Sequence, residues 1–245
     1  MDGETEPGRV ESTVPAPGRL AGLHVDALFR TTPDGALLET NEPSPGTAPR
    51  VFVARTSQGV ICRLRHDVPA PLATRLRQIA AALPPLPERR AEVRAYDDLR
   101  EAVEEAGAVE HVWHGPAYHF AAEPGPLDPD VAEITAGHSA LAGEFECFHQ
   151  DLPAMAPFFG IIRAGAVVSG CFSARITTKA AEAGVMTDVA HRGQGLAAAA
   201  VNAWRLAIAR SGRTPLYSTS YDNVSSQAVT RRLGLAQYAE TFALT

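Results

Sequence analysis

The densest chemical signal in the chain is the stretch VMTDVAHRGQGLA at residues 185–197. An apolar run passes into a glycine-containing turn, and the turn opens a helical pattern. Such a turn presents unpaired backbone N–H groups and the positive end of a helix dipole. That is an anion site, and a diphosphate fits it. The dipole contributes about 0.3–1 kcal/mol. Each N–H bond to a charged oxygen adds about 1.5–3 kcal/mol before desolvation is counted. Gly193 and Gly195 let the backbone approach the anion with no Cβ in the way. Arg192 adds a cation at the mouth of the turn. The bland alternative is an ordinary strand-to-helix loop.

A second set of residues follows: Asn223, Ser226, and the triplet Leu233, Gly234 and Leu235. Taken alone, Asn223 is a helix N-cap and Ser226 an indifferent first-turn residue. The elements that must position both sets are legible around them. Strands are expected at 158–163 and 167–175, joined by Ala164 and Gly165, and at 182–189. A helix over 195–210 carries the stripe Ala197, Ala200, Val201, Trp204 and Ile208 and stops at Ser211 and Gly212. A strand at 216–221, a short helix at 224–233 and a last strand at 235–244 complete this half. Upstream, 130–148 reads as a helix interrupted at Gly137 and Gly143.

The first half carries no chemical motif. Apolar, β-branched runs at 51–55 and 60–65 predict a hairpin. Leu72, Leu76, Ile79 and Leu83 predict a helix, stopped by Pro84 and Pro85. A second helix is expected over 96–106, and extended chain at 109–113 and 117–121. Residues 123–129, dense in Pro and Gly, read as a linker. The expected organisation is a mobile tail over 1–19, an α+β domain over 20–123 and a second domain over 124–245. His111, His114 and His119 lie close together, but no Cys or acidic partner completes a zinc pattern, and no metal is expected.

From about residue 129 to the end, the chain resembles the GNAT superfamily of N-acetyltransferases. Arg192, Gly195 and Ala197 stand at the positions of the family's acyl-CoA motif, and Asn223, Ser226 and the Leu233 triplet match its second motif. The resemblance implies an α/β fold: a mixed, mostly antiparallel, splayed sheet with flanking helices. The N-terminal α+β domain then reads as a smaller addition, compatible with a degenerate copy of the same fold. It also implies an enzyme moving an acetyl group from acetyl-CoA to an amine by direct attack. The cofactor is expected along Val185, Met186 and Thr187, around Arg192, Gly193, Gln194, Gly195, Leu196 and Ala197, and beside Asn223 and Ser226. Many members carry a Tyr seven residues after the Asn to protonate the thiolate; here that position is Thr230. A Thr hydroxyl is a poor acid, so Tyr221 is the substitute candidate. For the base, the family's habit of a Glu on the preceding strand points to Glu182, with His191 second.

Composition narrows the partners. The net charge of −6 argues against a nucleic-acid surface. No run of 18 apolar residues is present to span a membrane. Three cysteines without metal-ligand spacing suit a reducing cytoplasm. The expected partner is a small-molecule or peptide amine, with the protein a monomer or homodimer. Two rivals share the motif: a dinucleotide oxidoreductase, for which too little chain follows the fingerprint, and a non-catalytic acyl-CoA sensor. A remote third option is acyl-thioester decarboxylation.

Overall fold

The computed structural model describes residues 15–87, 94–135 and 140–245. Its frame is one nine-stranded sheet, ordered β4-β3-β11-β5-β10-β9-β8-β7-β6. The strands are β3 Val51–Thr56, β4 Gly59–Leu64, β5 Val112–His119, β6 Val131–Glu133, β7 Phe158–Arg163, β8 Ala166–Ile176, β9 Ala180–Thr187, β10 Thr214–Ser218 and β11 Ala236–Leu244. A separate hairpin pairs β1 Phe29–Thr31 with β2 Leu37–Thr40. Every neighbour in the large sheet is antiparallel except β9 and β10, which run parallel. A helix joins those two strands, as a parallel connection requires. Both halves of the chain build this sheet: β5 lies between β10 and β11.

The helices cover its two faces. α1 Pro17–Leu28 packs on one face, with Leu20, Ala21 and Val25 against Phe52, Ala54, Ala117, Leu216 and Ala239. On the other face α2 Ala70–Ala81 and α3 Ala95–Glu104 bury Leu76, Ala80, Leu99 and Val103 against Val51, Val53 and Phe242. α4 Leu196–Arg210 buries Ala200, Val201, Trp204 and Ile208, most of the expected stripe, against Cys171, Ala181 and Tyr217. Each large apolar side chain so buried contributes about 1.5–3 kcal/mol. The Trp204 indole N–H also donates to Ser173 Oγ at 3.1 Å, so its one polar atom is satisfied inside the core. α5 Val224–Arg232 follows β10. Among the described residues no helix is long and apolar enough to cross a membrane.

Three expectations shift. The helix over 130–148 is replaced by β6, paired with β7, and a 3₁₀ turn at Gly143–His149; residues 136–139 lie outside the described residues. Gly143 at φ +59° starts that turn in a left-handed conformation, which a continuous α-helix does not allow. The extended segments expected at 109–113 and 117–121 overlap a single strand, β5 Val112–His119, which runs on through Gly115 and Pro116. Of the expected tail, residues 1–14 lie outside the described residues, while residues 17–19 are the first turn of α1.

Candidate functional site

The sheet opens where its parallel pair gives out. β9 and β10 are in register only through Thr214↔Ala180, Pro215↔Ala181 and Leu216↔Glu182. Past that point each follows its other neighbour: β9 stays with β8 up to Ser169↔Thr187, and β10 with β5 up to Ser218↔Ala117. Gly115 on β5 assists this divergence. A Cβ there would lie 1.9 Å from the Thr219 carbonyl oxygen, so only glycine lets the chain leaving β10 lie down on β5. A cleft of about 910 Å³ fills the gap between the parted strands. Ala183, Val185, Met186 and Thr187 line one wall, Tyr217, Ser218, Thr219 and Ser220 the other.

The turn that the sequence singled out closes one end. Asp188 caps the 3₁₀ turn Val189–His191 by accepting from Ala190 N, and the chain then bends through Gly193 at φ +76° and Gly195 at φ +80° into α4. These left-handed conformations suit glycine. Within the turn the amides of His191, Arg192 and Ala198 are bonded to Asp188, Val189 and Gly195 carbonyls. The amides of residues 193–197 make no hydrogen bond among the described residues, and no side chain caps α4. Unbonded donors therefore cluster at a helix N-terminus, and Gly193, Gly195, Leu196 and Ala197 line the cleft there, an arrangement suited to an anion.

The cationic side chains divide differently from expectation. Arg192 lines the cleft, but its Nε donates back to the Thr187 carbonyl at 3.2 Å. Arg232, in the last turn of α5, also lines the cleft, and its guanidinium lies over Gly195. A Cβ at Gly195 would meet its Nη1 at 2.4 Å. The sequence signal for Arg232 was only its place in the last turn of α5; its meeting with Gly195 is made in three dimensions.

Of the residues expected to hold a cofactor, Val185, Met186, Thr187, Arg192, Gly193, Gly195, Leu196, Ala197, Asn223 and Ser226 all line this cleft. Gln194 is exposed and is not in the lining. Asn223 Oδ1 accepts from Ser226 N at 2.9 Å, so Asn223 is an N-cap while it lines the cleft. Ser226 Oγ is 2.8 Å from the Tyr217 hydroxyl.

The expected catalytic pair lies elsewhere. Glu182 is 2 % exposed and outside the lining. Its Oε1 accepts from Ser218 Oγ and lies 3.1 Å from His24 Nε2; Arg175 Nη1 is 3.7 Å from Oε2. Burial alone would raise its pKa, but His24, Arg175 and the Ser218 hydroxyl together hold it down at about 2. A carboxylate so stabilised is a weak base. The bulge beside it lies on β8, between Ser173 and Arg175. Tyr221 also lies outside the lining, and its hydroxyl donates to Glu240. Thr230 is buried and donates to the Gln227 carbonyl at 2.9 Å, so its hydroxyl proton is committed too. Among the titratable side chains in the lining, His191 has its Nδ1 3.3 Å from Asp188 Oδ2, and Tyr217 has its pKa pushed up to about 12 by burial. Tyr217 and Ser218 carry no motif; only the parting of β10 from β9 exposes them.

Residues 141–243 match the sequence model described as GNAT acetyltransferase. A search of curated proteins found no match. Solved structures with similar folds include an acetyltransferase of the GNAT family from Colwellia psychrerythraea (15 % identity, 95 % of this chain and 98 % of that one, TM-score 0.46). Another is a GCN5-related N-acetyltransferase-like protein from Streptococcus suis (18 %, 93 % and 99 %, 0.46). A third, a putative acetyltransferase from Novosphingobium aromaticivorans, matches at 21 % identity over 56 % of this chain and 66 % of that one, with a TM-score of 0.42.

Proposed function

We propose that this chain is an N-acyltransferase that takes an acetyl or other short acyl group from acyl-CoA and passes it to an amine. The observation that carries this proposal is the run of unbonded amides at residues 193–197, at the mouth of a cleft between parted parallel strands. Acyl-CoA, when bound, supplies an activated thioester carbonyl and a thiol leaving group. The amides of residues 193–197 hold its diphosphate, with Arg192 and Arg232 as flanking cations. The wall of β9 at Val185, Met186 and Thr187 holds the pantetheine arm. Glu182, shielded and held ionised, does not serve as the base. His191, oriented by Asp188, is the lining side chain able to take the amine's proton. Tyr217 takes over the role expected of Tyr221 and hydrogen-bonds the departing sulfur, with Ser226 fixing its hydroxyl.

The test is calorimetric titration with CoA. Gly195→Val places a side chain where the Arg232 guanidinium lies and strains a left-handed residue. Losing even two charge-assisted N–H bonds weakens CoA binding about 100-fold or more. Unchanged affinity in a folded variant rules out the turn as the diphosphate site. Amine-stimulated thiol release from acetyl-CoA then separates an enzyme from a sensor that binds the cofactor without turnover.

A further inference from the structure

The cleft has a second polar feature, remote from the diphosphate turn and built partly by the N-terminal half of the chain. Side chains alternate along β10. Tyr217 packs with Trp204 and Val201 on the α4 face, whereas Leu216 packs with Leu20 and Val25 on the α1 face. Ser218, two residues from Leu216, therefore lies on the α1 side while still lining the cleft. Its hydroxyl donates to Glu182 Oε1, and α1 brings His24 Nε2 to the same oxygen, 3.1 Å away. Glu182 and His24 are 2 % and 1 % exposed. Glu182 Oε2 and His24 Nδ1 are buried without a hydrogen-bond partner. Arg175, the other charge facing this carboxylate, is also paired with Glu42.

A serine hydroxyl has one proton and two lone pairs. With the proton given to Glu182, Ser218 offers the cleft only acceptor capacity, backed by a carboxylate in a poorly solvated site. We propose that Ser218 holds the acceptor, receiving an N–H of its amine, and that Glu182 and His24 are positioning residues acting through it. The group selected is an amine whose nitrogen bears no neighbouring carboxylate, because a second negative charge beside Glu182 is repelled. The proposal rests on the acyl-CoA function above and adds the acceptor's chemical class and its place, on the α1 side of the sheet.

The experiment measures thiol release from acetyl-CoA with 2-phenylethylamine, spermidine and the dipeptide amide Ser-Ala-NH2 as probe amines, and with L-phenylalanine as the carboxylate-bearing counterpart. CoA affinity is measured in parallel by calorimetry. Ser218→Ala is expected to raise the amine KM about tenfold or more and to leave CoA affinity within about twofold. Ser218→Thr, which keeps the hydroxyl, is expected to restore most of the loss. L-phenylalanine is expected to be used at least about tenfold less well than 2-phenylethylamine. An unchanged amine KM in Ser218→Ala, a loss confined to CoA affinity, or equal use of L-phenylalanine overturns the proposal. Wild-type protein that binds CoA but releases no thiol with any probe amine overturns it together with catalysis, leaving the acyl-CoA site standing. Wild-type protein that does not bind CoA removes the function on which it rests.

Discussion

Two glutamates of this molecule, Glu182 on β9 and Glu240 on β11, are each 2 % exposed and each held at a pKa of about 2. Their surroundings differ in how many donors they meet. Glu240 accepts from Arg55 Nη2 at 2.9 Å, from the Tyr96 hydroxyl at 2.7 Å and from the Tyr221 hydroxyl, with His114 Nε2 3.4 Å away. Those donors come from β3, α3, β5 and the segment after β10, so this carboxylate ties elements of both halves together. Glu182 meets fewer: Oε2 accepts no hydrogen bond, and the hydroxyl on Oε1 belongs to a cleft-lining residue. A buried charge encircled by donors is a structural joint. One whose donor opens onto a cavity is equipped to act on what enters that cavity.

The largest effect expected from breaking this contrast is on stability. Glu240→Ala leaves the Arg55 guanidinium, which is fully buried, without its carboxylate; removing one partner of such a pair costs about 3–5 kcal/mol. Urea unfolding measures the loss, and a drop below about 1 kcal/mol would show that Glu240 is not a joint. Glu182→Ala is expected to cost less, about 1–3 kcal/mol, because Arg175 is partly exposed and keeps Glu42 as a partner.

Acid sharpens the same comparison. Both carboxylates have folded pKa values below their ordinary 4.5, so the native state binds fewer protons than the unfolded chain. Their stabilisation is complete above about pH 4.5 and is lost as pH falls toward 2. Denaturation followed across that window is expected to be steep in the wild type and shallower in Glu240→Gln and in Glu182→Gln. An unaltered slope in both variants would mean that neither carboxylate is held ionised by its partners. The smallest effect is expected for Tyr221→Phe, which removes one of the donors on Glu240: about 1 kcal/mol in unfolding, with thiol release unchanged. A large loss of turnover with intact stability would return Tyr221 to the catalytic machinery.

The glycine turn that opens α4 was legible in the sequence because everything it needs is local. Gly193 and Gly195 adopt left-handed conformations, Leu196 starts a helix, and the unbonded amides follow from a helix beginning there, whatever surrounds it. The stripe Ala200, Val201, Trp204 and Ile208 was legible for the same reason: a period of 3.6 residues is a property of one segment. Asn223 and Ser226 likewise meet through one turn of helix. What only the tertiary structure decided is which side chains face the cleft and which are enclosed. Glu182 is closed off by a histidine 158 positions earlier in the chain, and Tyr221 donates to a glutamate 19 positions later. Tyr217 and Ser218 reach the cleft because β10 keeps to β5 while β9 keeps to β8. A side chain's burial and its partners depend on elements far off in sequence, and these set whether a carboxylate is a base or a fixed charge.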